Sequence, residues 1–80
     1  MDDFTKDRFR ARYKTMREDL ENDASRLAER ASQLHHHVVA GFSVLDDAAN
    51  LHHVLATIMR RASELAAMKD TFEMLSGEQL

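Results

Sequence analysis

At 80 residues and a formal net charge of −3, the chain has room for one domain with a small core, and chains of this size often gain stability by pairing. It holds no cysteine, no proline and only two glycines, which excludes a disulfide framework, a thiolate zinc site and a thiol nucleophile, and points to helix throughout. The charge is uneven: Lys6, Arg8, Arg10, Arg12, Lys14 and Arg17 stand against Asp2, Asp3 and Asp7 in residues 1–17, a local +3 that leaves −6 for the remainder.

Thr5 has the chemistry of an N-cap, and Phe4 before it with Phe9 after it has the spacing of a hydrophobic staple, so a first helix is predicted over residues 6–40. Phe9, Tyr13, Met16, Leu20, Ala24, Leu27, Ala31, Leu34 and Val38 recur at a mean step of about 3.6, the period of a straight helix rather than of a 3.5-residue supercoil. The stripe is narrow, so this helix buries one side. Asn22 and Asp23 favour caps over helix interiors and mark the one place where the helix could break.

Gly41 suits the position just past a helix end, and Ser43 followed by Asp46 matches an S-x-x-D start signal, so residues 41–43 read as the turn of an antiparallel hairpin. A turn centred on Phe42 sets residue i roughly opposite residue 84 − i. Helix 2 is predicted over residues 44–76, with Gly77 past its end and residues 77–80 as a frayed tail. Val44, Ala48, Leu51, Leu55, Ile58 and Ala62, flanked by Leu45, Ala49, His52, Ala56, Met59, Ala66 and Ala67, make an apolar arc of roughly 200°, about twice what a surface helix buries. Toward its C-terminal end Leu65, Met68, Phe72 and Leu75 carry the arc onward and the buried face rotates.

The expected fold is therefore all-α, a single domain over residues 1–80 formed by a hairpin of two long helices. Helix 1 covers only part of the wide arc, so two hairpins are expected to pair as a homodimeric four-helix bundle, with Leu51, Leu55, Ile58, Met59, Ala62 and Ala66 at the interface. A three-helix bundle broken at Asn22-Asp23 is the alternative. No apolar run reaches the length of a membrane span and no signal-peptide core is present, so a cytoplasmic protein without membrane contact is expected.

His35, His36 and His37 near the end of helix 1 and His52 and His53 on helix 2 form the densest polar cluster. A zinc site of two histidines and one aspartate would draw on His36, His37, His52 and Asp47. Consecutive helical residues point 100° apart, however, and neither H-x-x-x-H nor H-E-x-x-H occurs, so no metal and no cofactor is expected. The negative end of helix 1 and the carboxylates of Asp46 and Asp47 favour a charged imidazole here, which makes the turn a candidate pH-sensitive element.

The basic residues of the first helix interleave with Phe9 and Tyr13 as in a nucleic-acid patch, but those aromatics belong to the apolar stripe. A face that docks an acidic protein surface fits better, with Arg8, Arg12, Arg60 and Arg61 as contact residues. Catalysis has no nominee: there is no phosphate loop and no carboxylate pair in an apolar pocket. The expectation is a non-catalytic protein-interaction module that masks, inhibits or chaperones a larger partner, the alternative being nucleic-acid binding through the basic first helix. In size and outline alone the chain is similar to small helical secretion chaperones and to small phage-encoded inhibitors, including inhibitors of nucleic-acid-processing complexes.

Overall fold

The computed structural model describes all 80 residues. Two α-helices and no strands make up the chain: α1 runs from Asp3 to Ala40 and α2 from Leu45 to Ser76. They pack as an antiparallel hairpin measuring 58 × 15 × 14 Å, the long dimension being what a 38-residue helix spans at about 1.5 Å per residue.

α1 begins three residues earlier than its sequence signals suggest. Asp2, in an extended conformation, is the N-cap, and its Oδ1 accepts from the Thr5 backbone N–H at 2.7 Å. That N–H holds the Asp2 carboxyl below the usual carboxylate range. An aspartate caps at least as well as a threonine and adds a full negative charge at the positive end of the helix, so Asp2 takes the place expected for Thr5. The expected staple goes with it: Phe4 lies inside the first turn, 70% exposed, with the Arg8 guanidinium 5.8 Å from its ring centre, while the Phe9 ring sits against Phe72.

α1 then continues through Asn22 and Asp23 without a break, which rules out the three-helix alternative. At its end Gly41 adopts φ 79°, its N–H reaches the Val38 carbonyl at 3.1 Å, and the Phe42 N–H reaches the His37 carbonyl at 3.0 Å. The second bond needs the left-handed conformation at Gly41, which glycine takes without strain. The start of α2 differs from expectation. Its N-cap is Val44, which offers no side-chain acceptor, so the Ser43–Asp46 cap does not form. Asp46 and Asp47 in the first turn supply the favourable charge instead.

The register follows the predicted pairing. Asp23 meets Arg61, His37 meets Asp47 and Lys6 meets Glu78, each pair summing to 84. The buried and half-buried positions of α1 are Lys6, Phe9, Tyr13, Met16, Leu20, Asp23, Leu27, Leu34 and His37. With exposed Arg30 filling the gap, they alternate steps of three and four, a repeat of 3.5 residues rather than 3.6. On α2 the matching seam is Asp47, Leu51, Val54, Ile58, Arg61, Leu65, Met68 and Phe72. Ala24, Ala31 and Val38, expected in the seam, are exposed. The seam takes Asp23 and His37 in the stead of Ala24 and Val38 because each finds an oppositely charged or hydrogen-bonding partner across the hairpin.

Packing is thin away from one end. Only Val54, Phe72 and Asp23 are buried, and Phe72 alone is fully enclosed, with its ring 5.3 Å from that of Phe9 and from the Arg10 guanidinium. No helix is long and apolar enough to cross a membrane.

Candidate interaction faces

Because the seam uses a strict 3.5-residue repeat, the residues one step before and one step after each seam position form two further stripes, rotated by about 100° in opposite senses. On antiparallel helices the one-step-after stripes of α1 and α2 fall on the same face of the hairpin, and the one-step-before stripes fall on the opposite face.

The two faces differ completely near the turn. The one-step-after face carries Ala24, Ala28, Ala31, His35 and Val38 from α1 beside Leu45, Ala48, His52, Leu55 and Met59 from α2, all exposed and none bearing a carboxylate, amine or guanidine. Leu45 is 80% exposed, Met59 63%, Val38 57% and Leu55 45%. Its opposite carries Asn22, Arg26, Glu29, Gln33 and His36 beside Asp46, Asn50, His53, Thr57, Arg60 and Glu64. Exposed apolar residues scattered singly need no explanation, but a contiguous uncharged strip across two helices marks a contact surface.

The residues singled out from sequence distribute over these surfaces. Leu55, Met59, Ala62 and Ala66 lie on the apolar face, whereas Leu51 and Ile58 sit half-buried in the hairpin's own seam. Arg8, Arg12 and Arg60 lie on the opposite, polar face, and none of the three has a carboxylate within ion-pair distance. Arg8 and Arg12 border a shallow groove of about 300 Å³ whose floor is Phe9 and Met68. Arg61 belongs elsewhere: it is half-buried and donates to the Asp23 Oδ2 at 2.5 Å.

The histidines do not converge. His37 is in the seam with its Nδ1 2.7 Å from Asp47 Oδ2 and its ring edge-on to Phe42, while His36 and His52 stand exposed on opposite faces. No three His, Asp or Glu side chains meet at a point where a metal ion could sit.

Sequence reasoning missed two features. Asp23 is 2% exposed, held by Arg61 across the hairpin and by Arg26 at 3.8 Å one turn along. The 84 − i rule pairs 23 with 61, so the signal was present, but an apolarity count passes over it. The tail is the second: Glu78 accepts from Lys6 Nζ at 2.9 Å and from Arg10 at 2.7 Å, and Leu80 is half-buried beside Tyr13, Lys14 and Arg17. Residues 78–80 are thus docked on α1 rather than frayed.

The Lys6 ammonium, and less strongly the Arg10 guanidinium, hold the Glu78 carboxyl below its usual 4.5. A folded-state value below the unfolded one means that the clamp contributes fully above about pH 4.5 and is lost as pH falls through the lower folded value. An NMR titration should place the Glu78 carboxyl midpoint below 4.5 in the wild type and restore it in Lys6→Ala with Arg10→Ala. A wild-type midpoint at the usual value would mean that the tail is free in solution.

Compared with protein families, with curated proteins and with solved structures, the chain finds no significant match.

Proposed function

We propose that this chain is a non-catalytic interaction module that pairs with a second copy and docks its arginine face on an acidic surface of a larger protein, so masking, inhibiting or chaperoning it. The observation that supports this reading is the separation of two unlike surfaces. Arg8, Arg12 and Arg60 lie on one side without a carboxylate partner in the chain, and the uncharged strip occupies the other. Guanidiniums without a carboxylate of their own can bind those of an acidic surface bidentately. The groove between Arg8 and Arg12 adds an apolar floor for one partner side chain.

Arg8→Glu with Arg12→Glu tests the reading. Both side chains are exposed, so the helical signal and melting temperature should stay close to wild type. Affinity for a partner captured from the source cell should fall at least about tenfold, which corresponds to about 1.4 kcal/mol, and the loss should shrink with added salt. Unchanged affinity would remove these residues from the contact. Tight wild-type binding to random duplex DNA, falling steeply with ionic strength, would replace the protein partner with nucleic acid.

A further inference from the structure

We infer that the uncharged face is covered by a second copy of the same chain, stacked side by side with both turns at the same end, so that α2 of each copy lies along α1 of the other. The inference rests on reading the chain as a self-pairing module, and it adds which face pairs and in which orientation.

Three observations lead to it. The first is angular. Every residue of the uncharged stripe follows a seam residue by one position, so the stripe is turned about 100° from the seam on both helices. Neighbours in a four-helix bundle lie at roughly right angles about each helix, so each helix of the hairpin already presents a second seam where the next helix would stand.

The second is side-chain size. A two-fold axis along the length of the hairpin keeps every residue at its own height and exchanges α1 with α2. In that arrangement Leu55 meets Ala28 of the other copy, Met59 meets Ala24, His52 meets Ala31, and Ala48 meets His35. A large side chain falls on a small one at all four levels, the alternation that lets facing layers interdigitate at interior density. Leu45 and Val38 close the stack beside the turn.

The third is where the pattern stops. Past the uncharged stretch the same face acquires Glu21, Arg17, Lys14 and Arg10 on α1 and Lys69 and Glu73 on α2, and Lys14 of one copy would stand level with Lys69 of the other. A copy placed with its turn at the opposite end, and overlapped along the full hairpin, would instead press the apolar strip onto Lys14 and Arg17, which have no carboxylate within ion-pair distance, and onto the Arg10–Glu78 pair, stripping water from their charges. From Leu45 to Met59, where both helices are uncharged, the contact runs about 21 Å along α2, and Ala62 and Ala66 extend it to about 32 Å against Glu21 and Arg17 of the other copy. Across two helices that gives a projected footprint of roughly 600 Å² per copy, close to the ~800 Å² of accessible surface per partner in a stable interface.

The chain has no cysteine, which makes cross-linking decisive. Light scattering on the full chain at tens of micromolar should return the mass of two chains. Leu55→Asp, exposed in the isolated hairpin and so harmless to its fold, should keep the helical signal and weaken association by roughly a hundredfold or more, since each dimer would bury two unpaired carboxylates. A mixture of the single variants Ala28→Cys and Leu55→Cys should form the mixed disulfide under mild oxidation, and neither variant should cross-link by itself. A wild type that stays monomeric, or ready cross-linking of Ala31→Cys with itself, overturns the inference, the second because it places the turns at opposite ends. Partner capture reports separately: a monomer that still binds through Arg8 and Arg12 sinks the stacking alone, whereas a cross-linked dimer insensitive to Arg8→Glu with Arg12→Glu sinks the arginine contact alone.

Discussion

Phe72→Ala is expected to be the costliest truncation in the chain, at about 3–5 kcal/mol. Phe72 is the one large side chain with no solvent exposure, and its ring centre lies 5.3 Å from that of Phe9 and 5.3 Å from the Arg10 guanidinium. At roughly 0.05–0.15 kcal/mol per residue, a chain of this length has about 4–12 kcal/mol of stability in all. The variant should therefore be largely unfolded or held together only near the turn. Urea denaturation followed by circular dichroism measures the loss, and a cost under about 1 kcal/mol would place the ring in a site that collapses freely around the gap.

The second large effect is expected at Arg61. Replacing it with alanine leaves the Asp23 carboxylate, 97–98% enclosed in the wild type, with only Arg26 of its own helix at 3.8 Å to answer it. Removing one partner of a fully buried pair costs about 3–5 kcal/mol. The Arg61 side chain is 38% exposed, so its loss lets water reach the carboxylate and about 1–3 kcal/mol is expected, still above the ~0.5 kcal/mol usual for an exposed charge. Asp23→Leu with Arg61→Met should behave oppositely, at or above wild-type stability, because both desolvation penalties vanish together. The two singles and the double form a mutant cycle read from denaturation midpoints. A mild Arg61→Ala would show that the pair holds nothing. The double variant carries its own expected cost, in specificity. A slip of seven residues would leave the seven-residue period of the seam in step but separate Asp23 from Arg61, as it would His37 from Asp47 and Lys6 from Glu78.

Much of the architecture was legible because it rests on composition and on special backbone positions. The absence of proline, glycine at 41 and 77 with φ near 79° and 72°, and the mirror register about Phe42 follow from rules that need no tertiary context. The helix starts were harder. Asp2 and Thr5 are both good caps, as Ser43 is beside Val44, and the choice depends on where packing lets the first turn begin. The larger misreading concerned the stripes. Taking only apolar residues merged a 3.5-residue seam containing Asp23, Arg61, His37 and Asp47 with the alanine-rich stripe one residue behind it, and the blend has a period of 3.6. An apolarity count therefore groups Leu51 and Ile58, half-buried in the seam, with Leu55 and Met59, which lie beside it and are exposed. Arg8, Arg12 and Arg60 share one face, but nothing local in the sequence distinguishes them from Arg61, whose neighbour in space is 38 positions away.

The slenderness of the hairpin bears on how its assembly can be observed. Its radius of gyration is 17.6 Å, against about 12 Å for a globular domain of the same length. A rod of 9.2 kDa drags through solvent like a much heavier sphere, so elution from a sizing column confuses one copy with a compact pair. Stacking two rods along their full length doubles the mass while hardly altering the longest dimension. Small-angle scattering should then show forward intensity per chain twice that of Leu55→Asp with nearly the same radius of gyration, whereas rods joined only by their apolar halves, turns opposed, would lengthen the particle well past 58 Å.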